Sequence, residues 1–286
     1  MKLMRYIRTE LQKMSTGYCF YVCTAAVLIL FFFGSVEYDY AAEQDISVLH
    51  ALLHMKRTDM LQNPQYCAEN VLYHCQSGWL KMFSPMLAAF PYVIMHSTEQ
   101  AAGARRFRSV RVTKRIADWG SFLTAMLCGG AVLLTAFVLF FAAVMLLFPH
   151  FSQYDEALRA GLSYPISGTL RRFPDMMLYG AASAVPAWLL TAFMQNKYLI
   201  VSFPYFCKYM CLQGRSFLFD RVFSESGEMN RPLLSALNLT DPDFLLITHA
   251  YSAHELRNTA LIATAAILCC ILIYRRISAG RLDYGA

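Results

Sequence analysis

Apolar runs alternate with short charged segments along the whole chain. The runs are 17–36, 79–97, 120–148, 176–196, 197–213 and 258–274. A hydrocarbon core about 30 Å thick takes roughly 20 apolar residues as a helix. The pattern therefore predicts an all-α integral membrane protein with six transmembrane helices. Run 17–36 is longer than a signal-peptide core and more runs follow it, so it reads as a retained span. Run 79–97 carries Lys81 near one end, where the side chain can snorkel to the interface. Run 120–148 has no charge and is the longest, so it must tilt or project beyond the bilayer. Run 197–213 is the weakest, with Pro204 and Lys208 inside it; a broken or re-entrant helix is the alternative there. Pro91, Pro186 and Pro204 predict bends whose freed carbonyls neighbouring groups must satisfy.

The segments between the runs set the direction. Segment 1–16 carries Lys2, Arg5, Arg8 and Lys13; segment 98–119 carries Arg105, Arg106, Arg108, Arg111, Lys114 and Arg115; tail 275–286 begins with Arg275 and Arg276. With six alternating spans these basic segments fall on one side, which the positive-inside rule makes the cytoplasm. Both termini are then cytoplasmic in a multi-pass cell-membrane protein. Segments 37–78, 149–175 and 214–257 become external, the first with a helical pattern near residues 46–60. Within 1–16, Met4, Ile7, Leu11 and Met14 recur at helical spacing opposite the cations. That pattern predicts an amphipathic helix lying in the membrane interface, its cations among anionic lipid headgroups.

Composition agrees. The chain has 57% hydrophobic and 15% charged residues, where soluble domains have about a quarter charged. Its net charge of +6 comes from the segments flanking the runs rather than from one basic domain, so nucleic acid is not an expected partner. Seven of the nine cysteines lie in or beside apolar runs (Cys19, Cys23, Cys128, Cys207, Cys211, Cys269 and Cys270), as small hydrophobes do. Cys67 and Cys75 lie in external segment 37–78; a disulfide between them is open if that segment faces an oxidising compartment. Catalytic signatures are missing: no G-x-x-x-x-G-K-[ST] phosphate loop, no H-E-x-x-H and no G-x-S-x-G occurs. His50 and His54 have helical ligand spacing but no obvious third ligand, which favours two surface histidines over a metal site. Lys208 is the one ionisable residue expected inside the spans, which argues against an ion-coupled carrier.

Segment 98–119 joins the second and third spans. Gly103 offers a break, after which residues 104–117 predict a short helix. By charge alone it is an ordinary positive-inside loop. The stretch Ser84-Pro85-Met86-Leu87-Ala88-Ala89-Phe90-Pro91, followed by Glu99, Gly103, an Arg-rich segment through Lys114 and the pair Gly129-Gly130, resembles another pattern. It is similar to the permease subunits of ATP-binding-cassette type-2 exporters, common in bacteria. The order of an N-terminal amphipathic helix, a large first external loop and an elaborated loop before the last span is also similar. Where many relatives place Tyr in the basic segment, this chain has Arg and Val.

The resemblance implies a short cytoplasmic coupling helix between spans two and three that seats in a separate ATPase subunit. It implies that Glu99, Arg105, Arg106, Arg108, Arg111, Lys114 and Arg115 face that subunit, and that the amphipathic helix packs beside them. ATP and Mg would be bound by the ATPase and not by this chain, which has no catalytic role alone. A second permease, either another copy or a paralogue, completes the pathway for an apolar or amphipathic cargo such as a peptide, lipid or drug. The alternatives are a membrane-embedded enzyme, for which His249, His254 and Glu255 form no known motif, and a non-transporting sensor or assembly partner.

Overall fold

The computed structural model describes residues 2–39, 44–76, 78–102, 113–155, 166–194, 196–222 and 267–276. These residues are mostly helical. The long helices are α1 (Lys2–Thr16), α2 (Tyr18–Phe32), α6 (Trp79–Ala101), α7 (Lys114–Leu147), α8 (Ile166–Leu190) and α9 (Lys197–Val222). Residues 267–276 add a further helix, α10. One two-stranded antiparallel hairpin, β1 (Ser35–Asp39) and β2 (Gln44–Ser47), interrupts the helical pattern among the described residues. Short helices α3 (Val48–His54), α4 (Arg57–Met60) and α5 (Ala68–His74) follow it.

Helix α7 is the axis of the fold and packs against α1, α2, α6 and α8. At 34 residues it is about 50 Å long at 1.5 Å per residue. Its contact with α8 is set by three glycines. A Cβ on Gly129 would lie 2.5 Å from the Gly180 carbonyl oxygen, and one on Gly130 would lie 2.8 Å from that of Met177. Small residues at such a seam let two helix backbones approach closely. On the other side Phe31 of α2 stacks on Phe140 of α7 at 5.0 Å between ring centroids. Cys23, Val27 and Phe31 recur every four residues on α2 and are buried, whereas Tyr18, Tyr21, Val22 and Ile29 face outward.

The segment expected to form an external loop is a packed layer over the C-terminal end of α7. Ser47 caps α3 by accepting from the His50 amide at 3.2 Å. The helix expected over 46–60 breaks at Met55 and Lys56, both extended, before α4 begins. The Ala68 amide donates to the Pro149 carbonyl at 2.9 Å, and the Phe151 amide to the Glu69 carboxylate at 3.1 Å. The buried Tyr154 hydroxyl donates to the Met60 carbonyl at 3.1 Å, and burial raises its pKa well above the ordinary phenol value. Gly78, with φ at 58°, turns the chain from this layer into α6; few other residues adopt that backbone readily.

Among the described residues α7 is the one helix long and apolar enough by itself to cross a membrane. Helices α1 and α2 meet the same measure as a pair bent by 68° at Gly17. Helices α6, α8 and α9 have 23, 25 and 26 residues, about 35 Å or more, but charged residues or prolines interrupt them. Lys81, Pro85 and Pro91 fall in α6; Arg171, Arg172 and Asp175 in α8; Lys197 and Lys208 in α9. Helix α9 is continuous through Pro204 to Val222, with no break or re-entrant turn. Helix α8 begins at Ile166, ten residues before the run that marks it in the sequence. Of the sixth run, 258–266 lies outside the described residues, as does most of 214–257. The six-span reading therefore rests on the sequence pattern.

Replacing Gly180 by Leu forces α7 and α8 apart and is expected to cost about 1–3 kcal/mol or more, the range for overpacked sites. The check is a lower midpoint in a detergent melting curve, with Ala182→Leu, partly exposed on the same helix, as the milder control.

Candidate functional site

Of the residues that the sequence marks for a partner, Glu99 lies at the end of α6, and Lys114 and Arg115 at the N-terminal end of α7, opposite the packed layer. Helix α1 turns back from α2 and lies against α7. Its buried positions are Ile7, Glu10 and Met14, while Met4 is 73% exposed. The apolar face expected from Met4, Ile7, Leu11 and Met14 is thus rotated, and a carboxylate occupies its inner edge. Gly120 makes this docking possible: a Cβ there would collide with the Tyr6 ring.

Glu10 is buried next to a cation that serves two carboxylates. Lys13 Nζ lies 3.1 Å from Glu10 Oε1 and 3.1 Å from Glu99 Oε1. The Lys13 side chain is 44% exposed and that of Glu99 19%, so solvent screens the bridge and its worth is modest. Its geometric effect is larger than its energy. It ties α1 to the last turns of α6 across 86 positions of sequence.

Glu99 is therefore placed, at the end of α6 that leads into the basic segment. Arg105, Arg106, Arg108 and Arg111 lie outside the described residues. Lys114 is the first residue of α7, and Arg115 is exposed one position later. Residues 114–117 of the expected coupling helix thus form the start of α7 rather than a separate element. The first turn of α7 contains no acidic residue. The helix dipole and the Arg115 cation put positive charge at this helix end, where anions are favoured. Nearby, Trp188 Nε1 donates to Ser121 Oγ at 3.1 Å, and the Trp188 ring stacks on Tyr274 at 4.1 Å. This stack holds α10 to the bundle just before Arg275 and Arg276.

The disulfide between Cys67 and Cys75 is not formed; both are free, buried thiols. They cap opposite ends of α5, so eight residues of helical rise separate them by about 12 Å. Bridged cysteines keep their Cα atoms within about 7 Å. Cys67 Sγ instead accepts from the Asn70 amide at 3.4 Å. Burial pushes the Cys67 thiol up to about 11 and the Cys75 thiol up to about 12.

Lys208 is not the lone interior charge that the sequence suggested. Arg172, Asp175 and Lys208 are 2%, 3% and 4% exposed. Arg172 Nη1 donates to Gln76 Oε1 at 2.7 Å, and its guanidinium lies 4.3 Å from the centre of the Tyr73 ring. Lys208 Nζ donates to the Tyr179 hydroxyl at 2.9 Å. These contacts tie α8 to the packed layer and to α9. Reading 149–175 as a loop hid them, although Arg172, Asp175 and Tyr179 already have the spacing of one helix face. The rings of His50 and His54 lie 4.6 Å apart, and no group of three metal-ligating side chains occurs among the described residues. Comparison with protein-family models, with curated proteins and with solved structures finds no match to this chain.

Two outcomes follow from this geometry. Lys13→Met is expected to lose about 1 kcal/mol, the upper end for a partly exposed pair. Lys13→Glu is expected to lose more by setting three carboxylates together. The exchange Lys13→Glu with Glu99→Lys should recover most of that loss in a melting curve. For the thiols, the reactive species is the thiolate. Cys67 and Cys75 should therefore resist iodoacetamide at pH 8 in the native protein and label fully in denaturant. Because their folded pKa values are raised, their contribution to stability is whole below about pH 9. It falls as pH climbs from there through about 11 and 12.

Proposed function

We propose that this chain is the six-span permease subunit of an ATP-binding-cassette type-2 exporter, coupled to a separate ATPase. The observation that carries the reading is the Lys13–Glu99 bridge. It joins an amphipathic N-terminal helix to the end of the helix that leads into the basic segment, the arrangement the family resemblance implies. A push on that segment would be felt by α6, by α1 through Lys13 and by α7 through its first turn. Arg115 and the acid-free start of α7 suit an acidic face on the partner.

A bilayer as solvent is supported by the outer surface of the bundle. Leu139, Leu146 and Leu147 on α7, Leu199, Phe206 and Met210 on α9, and Leu268 and Leu272 on α10 are large apolar side chains facing outward. Exposed apolar surface of this kind marks a protein or membrane contact. In the six-span arrangement the packed layer of α3, α4 and α5 is external, and the Lys13–Glu99 end is cytoplasmic. ATP binding closes two ATPase subunits, and the basic segments carry that motion into paired permeases. The pair releases an apolar or amphipathic cargo outward.

The test is capture of the tagged chain in mild detergent, followed by protein identification and an ATP-hydrolysis assay. A stoichiometric ATPase is expected, and it should be lost when Arg106, Arg108 and Arg111 are changed to Glu. A chain that purifies alone across several detergents would overturn the exporter reading.

A further inference from the structure

Where α1 bends back from α2, the two helices leave a wedge that α7 closes on its third side. The cavity measures about 450 Å³, within the roughly 300–1,000 Å³ of sites that take small molecules. Its two edges differ in chemistry. On α1, Arg8, Gln12 and Ser15 form a polar stripe along one edge, with Leu11 and Met14 of the same helix beside it. Phe20 of α2, with Cys128 and Ala131 of α7, forms the opposite, apolar wall.

The polar edge has free capacity. Lys13, one position from Gln12, is engaged by Glu10 and Glu99. The Arg8 guanidinium and the Gln12 amide have no hydrogen-bond or ion-pair partner among the described residues. Two donors, one of them cationic, therefore face a site whose far wall offers only apolar contact. Tyr18 and Tyr21, 78% and 61% exposed, flank the bend. Exposed tyrosines at the end of a span sit at headgroup level, which puts the mouth of the cavity where lipid phosphates lie.

We propose that this cavity binds one anionic phospholipid of the cytoplasmic leaflet. The phosphate lies on Arg8 and Gln12, and the start of an acyl chain lies against Phe20, Cys128 and Ala131. The site rests on the membrane reading above and turns the general attraction of a basic interfacial helix into a discrete one. A free phosphate would satisfy Arg8 but leave the apolar wall unused. A zwitterionic lipid would use the wall but bring its own cation to Arg8. The bound lipid would wedge the α1–α2 bend and so hold α1 in position to present Lys13 to Glu99.

Native mass spectrometry of the full chain in detergent tests the assignment, with phosphatidylglycerol and phosphatidylcholine of matched chains as probes. Phosphatidylglycerol occupancy is expected to exceed phosphatidylcholine by roughly fivefold, the discrimination expected of one basic residue. Arg8→Gln, at an exposed position, should bring the two lipids level. Ala131→Phe should fill the cavity and lower both. Equal occupancy in the unaltered chain, or phosphatidylglycerol selectivity retained in Arg8→Gln, overturns the proposal. Displacement of the lipid by millimolar inorganic phosphate overturns it in favour of a free-anion site. Pull-down on the same preparations reads the exporter assignment separately. Selective lipid binding without a captured ATPase upholds this site and overturns that reading, and the reverse result does the opposite.

Discussion

The close approach of α7 and α8 at Gly129, Gly130 and Gly180 is the constraint on which the other contacts depend. With side chains at those positions the helix backbones would stand further apart. Trp188 would then no longer reach Ser121 at 3.1 Å, and the Tyr274 ring stacked on Trp188 would lose its platform. Both ends of the molecule are arranged around the same pair. The N-terminal end of α7 receives α1 at Gly120, and its C-terminal end is roofed by the layer built from α3, α4 and α5. A change in the α7–α8 contact would therefore be transmitted to both ends.

The two ends are chemically unlike. At the roofed end polar groups are spent inside the fold: Arg172 on Gln76, Tyr154 on the Met60 carbonyl, Glu69 on the Phe151 amide. Buried polar groups of this kind define a unique arrangement when their partners are in place. At the opposite end charge is left facing outward, on Arg8, Arg115 and the start of α7. One end of the body is thus closed on itself, and the other leaves charge available at its surface. The single lysine shared by Glu10 and Glu99 lies at this second end, half in water, where it can be exchanged at small cost.

The packed layer also decides the cysteine pairing that the spacing left open. Two thiols eight residues apart in a polar segment are compatible with a bridge if the chain between them is a loop. Once that chain is α5, the axial rise of the helix separates them, and each thiol becomes part of a cap. Taking 149–175 as a connection hid Arg172 and Asp175, which lie in α8. A polar stretch before an apolar run looks like a connection, yet α8 starts within it, and Arg172 finds Gln76 and the Tyr73 ring.

Apolar runs by themselves determined that the chain is helical and where most long helices lie, because a run of that length must bury or face lipid and a helix satisfies its own backbone. Basic residues between the runs set the expectation of which segments share a side. The amphipathic character of 1–16 was legible from its period, but not its rotation. A period says that a helix has faces; the neighbour decides which face goes in. Here Gly120 admits Tyr6, and Lys13 lies within reach of a carboxylate 86 positions away. That contact turns Glu10 inward and Met4 outward. Only the tertiary structure decided this, because the free energy that selects the rotation belongs to pairs of residues distant in sequence.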